Sequence, residues 1–186
     1  MSAFAMALLT LTSTSVAKDR PVADHTQSLT VAPFKLIEPR AHLEYERSLS
    51  DTTGFTVGAT FGKYNPLVMR IINALGVDYS VSNIGVNAAF NYHFKHFNRG
   101  WFVSGGLWYD NFSAKLEGED AGGWSTLKVG PTFGYKIAAE SGFTFAFDAG
   151  FGYGLSLGSD VDDDEVSAGS SGGLAYLGST SIGWSF

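Results

Sequence analysis

The chain has no cysteine among its 186 residues. A disulfide framework, a thiolate zinc site and a thiol nucleophile are therefore all excluded. Basic residues are scarce as well: 12 Lys and Arg stand against 18 Asp and Glu, a formal net charge of −6. A general nucleic-acid binder needs a basic surface to displace counterions from phosphates, so that class is set aside. Long apolar runs are also missing: after residue 17 nothing approaches the roughly 20 apolar residues of a membrane helix. Yet 45% of the residues are apolar and 15% aromatic. They must be dispersed by alternation, and the chain is either soluble or crosses a membrane as strands.

A mass of 19.9 kDa suits one domain and is short for two. Residues 1–17, MSAFAMALLTLTSTSVA, carry no charge, and small residues Ser15 and Ala17 precede Lys18. This pattern predicts a cleaved signal peptide over 1–17, although its start lacks the usual Lys or Arg. A lead over 18–26 and a strand domain over 27–186 complete the expected organisation.

Period-two alternation recurs through that domain. Phe55, Val57, Ala59 and Phe61 alternate with Thr56, Gly58, Thr60 and Gly62. Ile84, Val86, Ala88, Phe90, Tyr92 and Phe94 alternate with Gly85, Asn87, Asn91 and His93. Leu127, Val129, Phe133, Tyr135 and Ile137 are set against Lys128, Gly130, Thr132, Gly134 and Lys136. In FTFAFDAGFGYGL the aromatics Phe143, Phe145, Phe147, Phe151 and Tyr153 oppose Thr144, Asp148, Gly150, Gly152 and Gly154. The polar face is rich in glycine and poor in long charged residues, which suits the crowded inside of a narrow barrel better than a watery exterior. The greasy face is then the outer, lipid-facing one.

Turn signals and alternation place strands near 27–36, 40–49, 53–63, 77–94, 100–112, 124–138, 142–157 and 173–186. The first pair could be one bent strand, but Pro39 favours a turn. Short turns at 50–52, 95–99 and 139–141 alternate with longer links expected at 64–76, 111–123 and 158–172. The fold class expected is all-β: an eight-stranded antiparallel, up-and-down transmembrane β-barrel with short periplasmic turns and longer extracellular loops.

The sequence ends STSIGWSF, with Ile182, Trp184 and Phe186 at every second position. This tail resembles the C-terminal recognition signal of bacterial outer-membrane proteins. With the strand count, the loop asymmetry and the leader, the chain is similar to small eight-stranded barrels of the OmpA transmembrane-domain and OmpW-like group. The resemblance implies a Gram-negative outer-membrane location, contact with outer-membrane lipids and lipopolysaccharide, a monomer, and reading of the last strand by the barrel-assembly machinery. Fold resemblance does not transfer function.

Candidate chemistry is sparse. The interior set comprises Glu44, Glu46, Asp110, Lys128, Lys136 and Asp148, with Asn87, Asn91 and His93. Opposite charges facing each other in so narrow a space should pair, forming a salt-bridged plug in a filled lumen; an ion path is the competing reading. Of the four histidines, His25, His42, His93 and His96, only His42 lies near the outer end of a strand. No serine stands beside it in sequence, so a lipid-modifying barrel enzyme ranks third among the functional readings. Asp160, Asp162 and Asp164 match the start of a calcium loop, but Glu165 and Ser171 stand where such a loop needs glycine and glutamate. Solvated loop charge is the ordinary reading there, and weak divalent binding the alternative. Leu67, Val68, Ile71, Ile72 and Leu75 follow Asn65-Pro66 at helical spacing and precede Gly76, which predicts a short loop helix. The expectation is a non-enzymatic surface or structural barrel without cofactor, with passage of small hydrophobic molecules as the alternative.

Overall fold

The computed structural model describes residues 25–33, 40–64, 74, 76, 78–159 and 172–186. The leader 1–17, the loop-helix residues Leu67, Val68, Ile71, Ile72 and Leu75, and the acids Asp160, Asp162 and Asp164 lie outside the described residues.

Eight strands follow one another in order: β1 (Gln27–Val31), β2 (Arg40–Ser48), β3 (Thr53–Tyr64), β4 (Tyr79–His93), β5 (Gly100–Leu116), β6 (Glu119–Ala138), β7 (Phe143–Ser159) and β8 (Gly173–Ser185). Each pairs antiparallel with its neighbour in sequence. β1 pairs with β8 from Ser28 opposite Ser185 to Val31 opposite Ile182, closing the sheet into a ring. Over Ser28–Val31 this closure pairs the first strand with the last, protecting a stretch of edge that an open sheet would leave bare. The region 27–48 is two strands, as Pro39 suggested, and not one bent strand.

The alternation read in the sequence becomes a sorting of side chains. Along β4, Val81, Asn83, Asn87, Ala89, Asn91 and His93 are buried, while Ile84, Val86, Phe90 and Tyr92 are exposed. Across the described residues the buried side chains number eight apolar and seventeen polar or charged, whereas the exposed ones include most of the large aromatics and aliphatics. A water-soluble domain distributes them the other way. The structure is inside-out.

One link departs from expectation. Residues 111–123 are not a long loop: β5 continues to Leu116, β6 starts at Glu119, and the ladder carries Leu116 opposite Glu119 and Lys115 opposite Asp120. Only Glu117 and Gly118 turn the chain, at φ of 52° and 87°. Positive φ at both central residues is what the tight primed hairpin turn requires, and Gly118 takes it at no steric cost. The acidic run Glu117, Glu119 and Asp120 therefore sits on an exposed hairpin tip, within the stretch expected as a longer link.

Candidate functional site: the interior of the ring

The short turns at 49–52, 94–99 and 139–142 mark one end of the ring, and a connected set of buried polar side chains lies inside it. At its centre is Glu46 on β2. Its Oε1 accepts a hydrogen bond from Asn91 Nδ2 at 2.6 Å and lies 3.3 Å from His93 Nε2. Its Oε2 pairs with Lys136 on β6. Lys136 also donates to Ser28 Oγ on β1 at 2.9 Å, and its ammonium lies 5.4 Å from the centroid of the Phe97 ring. Asn91 donates to Thr56 Oγ1 on β3 at 2.7 Å and accepts from Ser104 Oγ on β5 at 2.6 Å. On β7 and β8, Thr144 and Ser185 complete the layer through a 2.6 Å hydroxyl pair. All eight strands contribute to this floor. Ser28, His93, Thr144 and Ser185 are at most 1% exposed, so these side chains are shielded from bulk water.

Phe97 is an interior group that the alternation could not reveal, because it belongs to a turn. Its backbone N–H donates to Asp51 O at 2.7 Å, and its ring tucks under the ring end. Gly54 makes the room: a Cβ there would meet Phe97 Cε2 at 2.6 Å and Glu46 Oε1 at 3.0 Å. Asn98 and Gly100, at φ of 67° and 90°, supply the reversal that turns the ring inward.

Away from the floor the pairing thins. Lys128 Nζ and Asp110 Oδ2 are 3.0 Å apart, and Asn83 Nδ2 donates to the other oxygen of Asp110 at 3.2 Å. Glu44 Oε1 lies 2.9 Å from His42 Nε2. Asp148 departs from expectation, for it pairs with neither lysine. Its Oδ1 accepts from the backbone N–H of Ser179 at 3.0 Å and from Ser179 Oγ at 2.7 Å. The register explains this: Asp148 stands opposite Gly134, between the two lysines of β6, while each lysine reaches a carboxylate on another strand. The six interior charges thus divide into Glu46–Lys136, Asp110–Lys128, Glu44 beside His42, and Asp148 on Ser179.

Nor is the interior filled. A chamber of about 800 Å³ remains, with Glu46, His93 and Lys136 at its base. Its walls include His42, Glu44, Asn87 and Thr60 on one side, and Phe102, Trp108, Phe112 and Leu177 among the apolar groups. Space remains because β6 and β7 offer glycines to the inside: Leu177 Cδ1 lies 2.9 Å from where a Cβ of Gly130 would be and 2.8 Å from that of Gly152. Side chains from neighbouring strands lie flat on these bare stretches instead of projecting to the axis. Among the described residues no group of three or more His, Asp or Glu is placed to hold a metal. The tail residues Trp184 and Phe186 are exposed on the outer side, and the carbonyl of Phe186 accepts from the backbone N–H groups of Thr26 and Gln27 at 3.1 and 3.0 Å.

In the sequence Thr60 is one of several polar residues of an alternating strand, and nothing beside it there links it to His42. A signal was available: the turn that sets Ser48 opposite Gly54 fixes the register, and counting back along it sets His42 opposite Thr60. Comparison with protein-family models, with curated proteins and with solved structures found no match for this chain.

Proposed function

We propose that the chain is an outer-membrane β-barrel with a structural or surface role, its greasy face in lipid and its lumen closed to ion flow. One observation carries the reading: a closed strand ring exposes aromatics and aliphatics and buries mainly polar groups. In water such a belt would be an aggregation surface, whereas in a bilayer it is solvated by acyl chains. The aromatics gather toward the short-turn end, where Trp101 stacks on Phe133 at 5.0 Å, Tyr135 meets Trp101 edge-on at 4.9 Å, and Phe143 meets Trp184 at 6.2 Å. Girdles of this kind suit a membrane–water interface. The partners proposed are lipid and lipopolysaccharide outside the barrel, and the assembly machinery during insertion.

The floor makes a direct prediction. An ion crossing the lumen would have to part Glu46 from Lys136 in a poorly screened space. Planar-bilayer recordings of the purified protein should show conductance near zero, and folded protein should run at a different gel position from boiled protein. Large, steady, ion-selective single-channel currents would overturn the closed-lumen reading.

A second reading, binding of small hydrophobic molecules, is favoured by the chamber and its apolar wall of Phe102, Trp108, Phe112 and Leu177. Its volume lies within the range typical of small-molecule sites. Mass spectrometry of gently purified protein separates the two: a bound small molecule at stoichiometric level supports the second, and lipid alone the first.

A further inference from the structure

We propose that the chamber carries a nucleophilic site for small esters, with Thr60 as nucleophile, His42 as its general base and Glu44 as the residue that orients His42. This goes beyond the structural role: a barrel closed at one end is a cup, and these residues line it. His42 and Thr60 are direct partners in the β2–β3 register, and Glu44 follows on the same inward face. His42 Nε2 lies 2.9 Å from Glu44 Oε1. An ionised carboxylate only accepts, so Nε2 carries the hydrogen, and in the neutral ring Nδ1 keeps its lone pair. Thr60 Oγ1 is 2.6 Å from that nitrogen, and in this tautomer the hydroxyl is the donor. The order hydroxyl, imidazole, carboxylate is the one that activates a weak oxygen nucleophile.

Burial and access are both met. His42 is 3% exposed and Thr60 7%, so the pair is shielded from bulk water, yet both border the chamber of about 800 Å³. In a packed core the same hydrogen bonds would only satisfy three polar groups; here a substrate can reach the hydroxyl. The apolar wall formed by Trp108, Phe112 and Leu177 suits a short acyl chain. Asn87 Oδ1 and Glu44 Cγ converge over Gly58, the latter 3.0 Å from where a Cβ of that glycine would be. Asn87 also borders the chamber, and its Nδ2 is the donor proposed for the substrate's carbonyl oxygen.

In the reaction, Thr60 Oγ1 attacks the ester carbonyl carbon as its proton passes to His42 Nδ1. The adduct collapses, the carbon–oxygen ester bond breaks, and the alcohol leaves with that proton. Water then attacks the acyl group on Thr60, giving a proton to His42 Nδ1. Thr60 takes that proton back as the acid departs. Only ester and water are consumed.

The test uses the full chain folded in detergent micelles, with p-nitrophenyl butyrate and an alkyl fluorophosphonate as probes. The expected results are a fluorophosphonate adduct mapped by peptide mass to Thr60, and ester hydrolysis above the micelle blank. Thr60→Ala should abolish both and Thr60→Ser retain both. His42→Gln should lower the rate by about 100-fold or more, the usual scale for losing a general base. Glu44→Gln should lower it less and move the pH profile, a readout that loss of packing alone would not give. Gel position after folding controls for assembly of each variant. Adduct mapping on the unmodified chain needs no variant, so a variant that fails to fold leaves the proposal testable. Absence of an adduct at Thr60, or equal hydrolysis by the unmodified chain and Thr60→Ala, would sink it.

Discussion

Replacing Lys136 with methionine while Glu46 remains is expected to destabilise the fold by about 3–5 kcal/mol, the cost of leaving a buried charge without its partner. Glu46 then keeps Asn91 and His93 but loses the one cation that balances it within the floor. Glu46→Leu should do comparable damage from the other side, since the Lys136 ammonium would keep only Ser28 and the face of Phe97. Removing both charges, as Lys136→Met with Glu46→Leu, should cost less than either single change, because no uncompensated ion is then buried. Asp148→Asn provides the contrast. Asp148 has Ser179 as its partner and no lysine, and asparagine can still accept from that N–H and hydroxyl, so the change should cost about 1 kcal/mol or less. Urea titration in micelles, followed by the folded gel band, measures all four. Equal midpoints for Lys136→Met and the unmodified chain would show that the floor pair does not hold the ring together.

Much of the ring was legible because a strand that separates two environments repeats every two residues. Phe55 to Phe61, Ile84 to Tyr92 and Phe143 to Tyr153 each declare a greasy face, and all of those stretches lie in strands. The separation of β1 from β2 was legible because a proline interrupts the repeat between them. The hairpin at Glu117–Gly118 was obscured because its charge looks like loop composition, although a residue followed by glycine between two alternating runs is itself a hairpin signal. Pairings were less legible than faces. Alternation says that Glu46 and Lys136 point inward, but which carboxylate a lysine reaches depends on register across strands distant in sequence. Asp148 illustrates the limit: its neighbours in the ladder put a serine within reach before any lysine. The space left inside was illegible for a related reason. Inward glycines leave room only if neighbouring side chains do not fill it, and Leu177 and Phe102 lie along the wall instead of across the axis.

The sharpest measurement of the lipid-facing reading is a charge placed outside the ring. Val86 stands near the middle of β4 and is 58% exposed. If that surface faced water, Val86→Arg would be nearly neutral, within about 0.5 kcal/mol, as most exposed substitutions are. In a bilayer the same side chain sits near mid-depth, where an arginine costs about 2–4 kcal/mol. Leu49→Arg is the companion. Leu49 is 60% exposed and in step with Leu43 on the outer face, but it follows the end of β2 at the short-turn end of the ring. Near an interface the cost falls to about 0–1 kcal/mol. The expected result is therefore a steep difference between two arginines on the same outer face, read as refolding yield and unfolding midpoint in phospholipid vesicles. A depth-independent response, with Val86→Arg as harmless as Leu49→Arg, would remove the bilayer from the account and leave the greasy belt to be covered by protein.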